Sequence, residues 1–204
     1  MNLLIRADSS SSIGLGHIMR DVVFAAQHPQ DTVRFACQNL SGNIIDQIPY
    51  PVDLLTSNDP DELIALIREQ NIDRVVFDHY GIDAVFEKKI KDVCGVTVLS
   101  FDDTYEAHYC DILLNHNISA DPTRYRGLVP EQCELHCGAE YTLIRDEFKT
   151  EKQIQREKLY DIFIAMGGTD PTNATMKILS TLNDDLRVCV VTTSGNPHVN
   201  ELKT

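Results

Sequence analysis

Residues 3–17 read LLIRADSSSSIGLGH, an apolar run of strand length that ends in a polar loop with two glycines. An apolar run with helical spacing follows directly, at Ile18, Met19, Val22, Val23 and Ala26. A strand, a glycine-containing loop and a helix in that order are typical of sheets whose parallel strands are joined by helices. The stretch therefore predicts an α/β fold.

The same alternation continues through the first half of the chain. Short runs rich in Val, Ile, Leu and Phe recur at residues 32–37, 52–56, 74–77, 96–101 and 112–115. Segments with helical spacing lie between them, at residues 63–67 and 85–93. Asp59 and Pro60 precede the first of these segments as an N-cap and a first-turn proline. The pattern predicts a doubly wound, Rossmann-like parallel sheet.

The second half of the chain begins with a break in this pattern. Residues 115–130 are polar and indicate a long connection, and the mostly charged residues 149–158 predict a helix that bridges two domains. Residues 160–166, 172–182 and 186–192 then restart the alternation as strand, helix and strand. We therefore predict a Rossmann-like domain at 1–148, followed at 149–204 by the start of a second one.

The composition excludes several classes of function. The chain has 18 Lys and Arg against 31 Asp and Glu, a net charge of −13, which disfavours nucleic acids and anionic membranes as partners. Its hydrophobic content of 43% is enough to form a core. Since no run approaches the roughly 20 apolar residues of a membrane helix and the N-terminus lacks signal-peptide features, we expect a cytoplasmic protein.

The cysteines predict neither disulfides nor a metal site. There are six, without a Cys-x-x-Cys pair. Cys133, His136 and Cys137 come nearest to a metal cluster, but they do not supply the roughly four ligands of a zinc site at its usual spacing. We expect reduced, structural cysteines and no bound metal.

The loop between the first strand and the first helix predicts a site for an anion or a sugar phosphate. Gly14 and Gly16 allow the backbone to approach a ligand, and the N-terminus of the following helix favours negative charge. A dinucleotide fingerprint would need a third glycine where Met19 stands and an acidic residue where Gln38 and Asn39 stand. A P-loop would need Gly-Lys-Ser/Thr, which is absent. An ordinary tight turn remains the alternative.

His17 adds possible chemistry to this loop. The positive end of a helix disfavours the imidazolium, so a histidine there is kept neutral and can act as a general base. A capping or packing histidine is the alternative. Residues 78–81 follow the fourth strand, and the hydroxyl of Tyr80 could hold a sugar or a water there. Asp102 and Asp103, after the fifth strand, are interpreted as ordinary turn chemistry.

Residues 166–173, MGGTDPTN, form a second loop of the same kind. Asp170 followed by Pro171 predicts an N-cap and a proline at the first helical position. A plain turn is again the alternative. Two helix starts of this kind predict a phosphate-bearing ligand in a cleft between the domains, held by backbone N–H groups because the chain is acidic.

Taken together, these motifs resemble the UDP-sugar hydrolases of pseudaminic acid biosynthesis. The resemblance runs along essentially the whole chain. It rests on the motifs at residues 8–21, 78–81, 100–103, 110–115, 143–148 and 166–170. The Gly-x-Gly-His motif alone is also found in related two-domain glycosyltransferases.

The resemblance implies a GT-B-like fold and hydrolysis of a UDP-linked diacetamido-trideoxy-altropyranose, with inversion, to the free sugar and UDP. His17 matches the family's general base, and Tyr80 matches a tyrosine beside it. No metal or organic cofactor is implied; the expected protein is a monomer that serves flagellin glycosylation. The residues expected to bind substrate are Ser10, Gly14, Leu15, Gly16, Arg20, Asp78, His79, Arg145, Gly167, Gly168 and Thr169.

Members of this family continue through a full second domain, so we expect weak or no turnover from the 204 residues alone. Three other functions remain open at this point. They are a glycosyltransferase of the same architecture, a UDP-sugar epimerase, and a non-catalytic module that binds sugar nucleotides.

Overall fold

The computed structural model describes residues 1–193 and 195–203, and divides the chain into two compact units. The first unit spans Met1–Lys149 and the second Thr150–Thr204. Each unit is described by itself below.

The first unit is built on a sheet of seven parallel strands in the order β3-β2-β1-β4-β5-β6-β7. Their bounds are β1 Asn2–Ala7, β2 Thr32–Gln38, β3 Val52–Leu55, β4 Arg74–Asp78, β5 Thr97–Phe101, β6 Ile112–Asn115 and β7 Glu134–Cys137. The chain builds outward from β1 to β3, then returns to place β4 on the other side of β1. The predicted α/β fold with a Rossmann-like parallel sheet is confirmed.

Helices cover both faces of this sheet. They are α1 Gly16–Ala26, α2 Pro60–Glu69 and α3 Ala84–Cys94. Because side chains alternate along a strand, Leu4 packs on the face that holds α2 and α3, whereas Leu3 and Ile5 pack on the face that holds α1. The sheet is therefore buried on both sides, which explains why its central strands are almost continuously apolar.

The starts of α2 and α3 are capped by aspartate side chains. The Asp59 carboxylate accepts a hydrogen bond from the Asp61 N–H, and Pro60 is the first residue of α2, as predicted. Asp83 likewise accepts from the N–H groups of Val85 and Phe86.

The predicted connection at 115–130 contains ordered structure. A 3-10 turn, Pro122–Tyr125, buries Tyr125 completely, and its hydroxyl donates to Asp102 Oδ2 at 2.6 Å. The edge strand β7, which the sequence did not predict, follows this turn. All six cysteines are free thiols.

The predicted helix at 149–158 is wrong. A shorter helix, α4, spans Asp146–Glu151, and the chain has left helical structure by residue 154. The segment has only Ile154 as a large apolar residue, so it offers no apolar face to pack, and packing is what stabilises a helix in a protein.

In the second unit, β8 Ile162–Ile164 and β9 Val188–Val190 pair in parallel, with helix α5 at Ala174–Leu179 between them in the chain. The sequence predicts Pro171 at the first position of this helix. That prediction is wrong, because α5 begins only at Ala174, with Asn173 as its N-cap residue. Among the described residues, no helix has the length and apolar character needed to cross a membrane.

Candidate functional site

The site lies where the direction of sheet building reverses, between β1 and β4. These strands are neighbours, and the last residue of β1, Ala7, is paired with Asp78 at the end of β4. The loops that follow the two strands therefore meet at one edge of the sheet. In open α/β sheets this is the usual position of a ligand site.

The loop after β1 is held in shape by Ser10. Its backbone pairs with Gly14, whose N–H donates to the Ser10 carbonyl at 2.8 Å. The Ser10 hydroxyl oxygen accepts from the Ile13 N–H at 3.0 Å. Gly14 has a φ of +89°, a conformation that L side chains rarely adopt. Ser10 and Gly14 thus build the loop, whatever contact they make with a substrate.

The start of α1 is left open by this loop. Leu15 is the N-cap residue, and its side chain makes no capping hydrogen bond. The N–H groups of Gly16, His17 and Ile18 have no hydrogen-bond acceptor among the described residues. A Cβ added to Gly16 would meet no atom within 4 Å. This helix start can therefore donate to an anionic or polar ligand.

His17 is the second residue of α1 and is held by Asp78. The His17 Nδ1 and Asp78 Oδ1 atoms lie 2.6 Å apart, and His17 is only 7% exposed. Arg20 Nη2 also lies 3.2 Å from this Nδ1, but it donates to Asp78 at the shorter distance of 2.5 Å. Because a carboxylate only accepts hydrogen bonds, the 2.6 Å contact with Asp78 assigns a proton to Nδ1. In the neutral ring Nε2 then has the free lone pair, and it has no hydrogen-bond partner in the described part of the chain. A base oriented by a carboxylate in this way is a recurrent catalytic arrangement.

Arg20 fixes Asp78 in place. Its Nε and Nη2 atoms donate to the two Asp78 oxygens at 2.6 and 2.5 Å, and its Nη1 donates to Asp103 at 3.1 Å. Burial by itself raises the pKa of Asp78, but the hydrogen bonds from Arg20 and His17 lower it below its ordinary value. Arg20 and Asp78 were predicted to bind substrate. In the structure Asp78 contacts His17 Nδ1 and Arg20 binds Asp78, so the two residues orient the His17 ring.

The Tyr80 ring packs against the His17 ring. The two rings meet edge to face with their centres 4.8 Å apart, and Tyr80 is 69% exposed. Its hydroxyl donates to the Asp103 carboxylate at 3.1 Å. Burial and this carboxylate raise the pKa of Tyr80, so the hydroxyl keeps its proton and its oxygen remains free to accept a hydrogen bond.

Asp103 is the residue of this site that the sequence interpretation missed. Turn chemistry describes Asp102, whose carboxylate accepts from the N–H groups of Thr104 and Tyr105. Asp103 instead binds Tyr80 and Arg20. The available signal was topological, since an acidic residue after β5 lies beside the end of β4 when the strands are parallel.

His79 has a structural position. Its Nδ1 accepts from the Gly81 N–H at 2.9 Å, and its Nε2 lies 3.1 Å from Asp8 Oδ2. Asp8 also pairs with the completely buried Arg6, at 2.7 Å. Both ring nitrogens of His79 are therefore occupied, and the residue ties the loop that carries Tyr80 to the end of β1.

Three of the predicted residues, Gly16, Arg20 and Arg145, line a shallow cavity of about 300 Å³. The Arg145 guanidinium lies over the Phe148 ring, 4.9 Å from its centre, at the wall of this cavity. Leu15 is 43% exposed nearby in the chain. Within residues 1–193 and 195–203, no cluster of three or more His, Cys, Asp or Glu side chains could hold a metal ion.

The second glycine loop differs in its contacts. Gly167 has a φ of +77°, and the Gly168 carbonyl accepts from the Thr193 hydroxyl at 2.8 Å. The Asp170 carboxylate accepts from the N–H groups of Ala174 and Thr175 at 2.8 and 2.9 Å. Asp170 is not the N-cap residue that the sequence predicts, because Asn173 holds that position, but its carboxylate still binds these two N–H groups from four residues before the helix begins. The first N–H groups of α5 are occupied by the chain itself.

Known proteins similar to this chain include a UDP-sugar hydrolase and a polysaccharide biosynthesis protein. The UDP-2,4-diacetamido-2,4,6-trideoxy-beta-L-altropyranose hydrolase of Campylobacter jejuni is 49% identical over 203 residues, which are 100% of this chain and 73% of that protein. The spore coat polysaccharide biosynthesis protein SpsG of Bacillus subtilis is 24% identical, over 97% of this chain and 61% of its own length.

An uncharacterized protein of Methanocaldococcus jannaschii is also 24% identical, over 89% of this chain and 40% of its own. No protein-family model matches the sequence. The similarity to SpsG and the parallel sheet of the first unit are consistent with the GT-B-like, Rossmann-like fold that the sequence predicts.

Proposed function

We propose, from the premise that this chain belongs to the family of UDP-2,4-diacetamido-2,4,6-trideoxy-beta-L-altropyranose hydrolases, that it cleaves a UDP-linked diacetamido-trideoxy-altropyranose to the free sugar and UDP. One observation carries the proposal beyond the family name. His17 lies at an uncapped helix start, with Nδ1 held by Asp78 and Nε2 unoccupied by the described residues.

In the proposed reaction, a water molecule lies between His17 Nε2 and the Tyr80 hydroxyl oxygen. Nε2 takes one proton from this water as its oxygen forms a bond to the anomeric carbon of the sugar. The bond from that carbon to the UDP oxygen breaks, and UDP leaves with the electron pair. A single displacement of this kind inverts the configuration at the anomeric carbon.

The charges around His17 suit this step. Asp78 stabilises the imidazolium that forms, as the carboxylate of a catalytic triad does. UDP leaves as a stabilised anion, so the reaction does not need the second carboxylic acid that most glycoside hydrolases use. The free N–H groups at the start of α1 are positioned to donate hydrogen bonds to a phosphate or sugar oxygen.

The finer assignments belong to the same proposal. We assign Ser10, Gly14, Leu15, Gly16, Arg145 and, in the second unit, Gly167, Gly168 and Thr169 to substrate binding. Arg20, Asp78 and His79 act through His17 and the Tyr80 loop. The proposal also includes a division into domains at 148/149, a monomeric state, a cytoplasmic location and a role in flagellin glycosylation.

The test is hydrolysis of the UDP-sugar in water enriched in ¹⁸O, followed by mass spectrometry of both products. The 204-residue chain is compared with a chimera that adds the remaining segment of the Campylobacter jejuni relative. The proposal predicts one ¹⁸O in the free sugar and none in UDP. Label in UDP contradicts attack at the anomeric carbon.

The other functions give different products in the same assay. A glycosyltransferase releases UDP only after an acceptor alcohol is added. An epimerase yields a new UDP-sugar and little free sugar. A binding module retains the UDP-sugar unchanged.

A further inference from the structure

Asp21 is a buried carboxyl group that the proposed reaction does not use. It lies on α1 four residues after His17, and therefore on the same side of the helix. Asp21 is 0% exposed. Neither of its side-chain oxygens has a hydrogen-bond donor among the described residues. Such a group needs an explanation, because buried polar atoms are nearly always paired.

The charged and titratable groups around Asp21 come from four elements. Arg20 and His17 lie on its own helix, and Asp78 approaches from β4. Cys37 approaches from β2, and its thiol also feels the charges of the Arg6–Asp8 pair at the end of β1. Among the described residues, the cation that acts on Asp21 is Arg20, and it already binds Asp78 through two nitrogens and Asp103 through the third.

Asp21 therefore adjoins another acceptor, the Asp78 carboxylate, with no donor between them. Two adjacent carboxylates cannot both be ionised in a buried place, and one of them takes up a proton. Asp78 is the one that stays ionised, because it has Arg20 and His17 as donors. Burial and the Asp78 charge raise the pKa of Asp21 well above its ordinary value.

We propose that Asp21 is a positioning residue that remains a neutral carboxylic acid and donates its proton to Asp78. Among the described residues, Asp78 is then the ionised carboxylate that His17 Nδ1 contacts. A nearby negative charge favours the protonated form of an imidazole, which cannot accept a proton from water, so a neutral Asp21 adds no such charge. The role of Asp21 in catalysis rests on the proposed function, whereas its protonation does not.

The first experiment measures protonation alone, by infrared difference spectroscopy of the 204-residue chain at neutral pH. A protonated carboxylic acid has a carbonyl stretch well separated from that of a carboxylate. We expect this band in the wild type, its loss in Asp21→Asn, and its retention in Asp8→Asn, a matched control whose carboxylate is paired with Arg6. A wild type without the band, or a band unchanged in Asp21→Asn, overturns the proposal even if hydrolysis is confirmed.

The second experiment measures turnover against pH in whichever form of the protein is active. Asp21→Asn keeps a donor and cannot ionise, so we expect a rate within about threefold of the wild type, with the acid limb of the profile unmoved. Asp21→Leu removes the donor and should lower kcat about tenfold with little change in KM. A shift of the acid limb to lower pH in Asp21→Asn shows that a negative charge was lost and overturns the proposal.

The two experiments fail separately. If the chain is not a hydrolase, the pH profile cannot be measured, but the infrared band still decides whether Asp21 is neutral. If Asp21→Leu does not fold, Asp21→Asn and the band remain as tests.

Discussion

The two glycine-containing loops of this chain follow the same sequence pattern and end differently. Each follows a strand and precedes a helix. In the second loop the Asp170 carboxylate occupies the first N–H groups of α5. In the first loop Leu15 has no side chain oxygen to offer, and the N–H groups of Gly16, His17 and Ile18 remain without an acceptor in the described residues.

This difference shows that a glycine loop and a helix start do not by themselves make an anion site. What matters is whether a nearby side chain already satisfies the helix. The first loop keeps its helix start open and places a histidine there, whereas the second uses its acidic residue to stabilise a short helix. Three changes test this distinction and one tests the turn that carries Asp103; they follow from the largest expected effect to the smallest.

The largest effect is expected from His17→Ala. Removing a general base typically lowers the rate by about 10²–10⁴-fold, and we expect kcat to fall in that range with the fold retained. Steady-state kinetics measure kcat, and a thermal melt shows whether the fold is retained. His28→Ala is the matched control, because His28 binds the Phe24 carbonyl at the other end of α1. A similar loss of rate in both variants contradicts the assignment of His17.

The second effect concerns the turn at 102–109, which holds Asp103 beside Tyr80 and Arg20. Burial by itself lowers the pKa of His108, but the Asp102 carboxylate, 4.0 Å from its Nε2, and the hydrogen bond between its Nδ1 and Glu87 raise it to about 9 from 6.5. A raised pKa stabilises the folded state fully below pH 6.5, and this contribution is lost as the pH rises to about 9. The shift corresponds to roughly 3 kcal/mol.

Chemical denaturation below pH 6.5 and above pH 9 measures this contribution. The free energy of unfolding should fall more steeply with pH in the wild type than in His108→Gln, in which the group cannot titrate. Other groups titrate in both proteins and cancel in the comparison. Equal slopes would show that the imidazolium of His108 does not stabilise this turn.

The third effect is expected at Gly16. A Cβ at this position meets nothing within 4 Å, so Gly16→Ala should leave the melting temperature unchanged or slightly higher. If a substrate approaches the open helix start, the added methyl group should raise KM about tenfold, a loss of about 1.4 kcal/mol. An unchanged KM would show that no ligand group comes close to Gly16.

Gly14→Ala is the matched control for this change. Gly14 has a φ of +89°, so alanine there is strained and should cost about 1–2 kcal/mol in the free energy of unfolding. The two glycines thus separate the stability of the loop from ligand binding.

The smallest effect is expected from Asp170→Ala. It removes the acceptor for two helix N–H groups, which costs about 1 kcal/mol. Hydrogen exchange of the Ala174 and Thr175 amides should become faster, while the amides of α1 keep their wild-type rates. Unchanged exchange at these two amides would mean that Asp170 does not cap α5 in solution.

The sequence was sufficient to predict the sheet of the first unit because its central strands are buried on both sides. Runs such as residues 3–7 are almost continuously apolar for that reason. The edge strand Glu134–Cys137 has no fully buried side chain, so its pattern is weak and it was missed. The helix predicted at 149–158 was wrong because its charged residues have high helix propensity but no apolar face to pack. The helix therefore ends at Glu151.

The candidate site was predictable as far as it follows the chain locally. His17 and Tyr80 each lie directly after a predicted strand end or glycine loop, and the structure brings their rings together. The roles of Asp78, Asp103 and Asp21 depend on which strands are neighbours and on which acceptors already have donors. Strand order and the sharing of donors are tertiary properties, and no local spacing encodes them.

The most direct test of the first loop is the tautomer of His17, read from ¹⁵N chemical shifts in long-range ¹H–¹⁵N correlation spectra of the chain at a pH where the ring is neutral. Because Nδ1 lies 2.6 Å from the Asp78 carboxylate, we predict a protonated Nδ1 and an unprotonated Nε2. Asp78→Ala should mix the two tautomers. A proton on Nε2 in the wild type would contradict the assignment of His17 as the base that activates water.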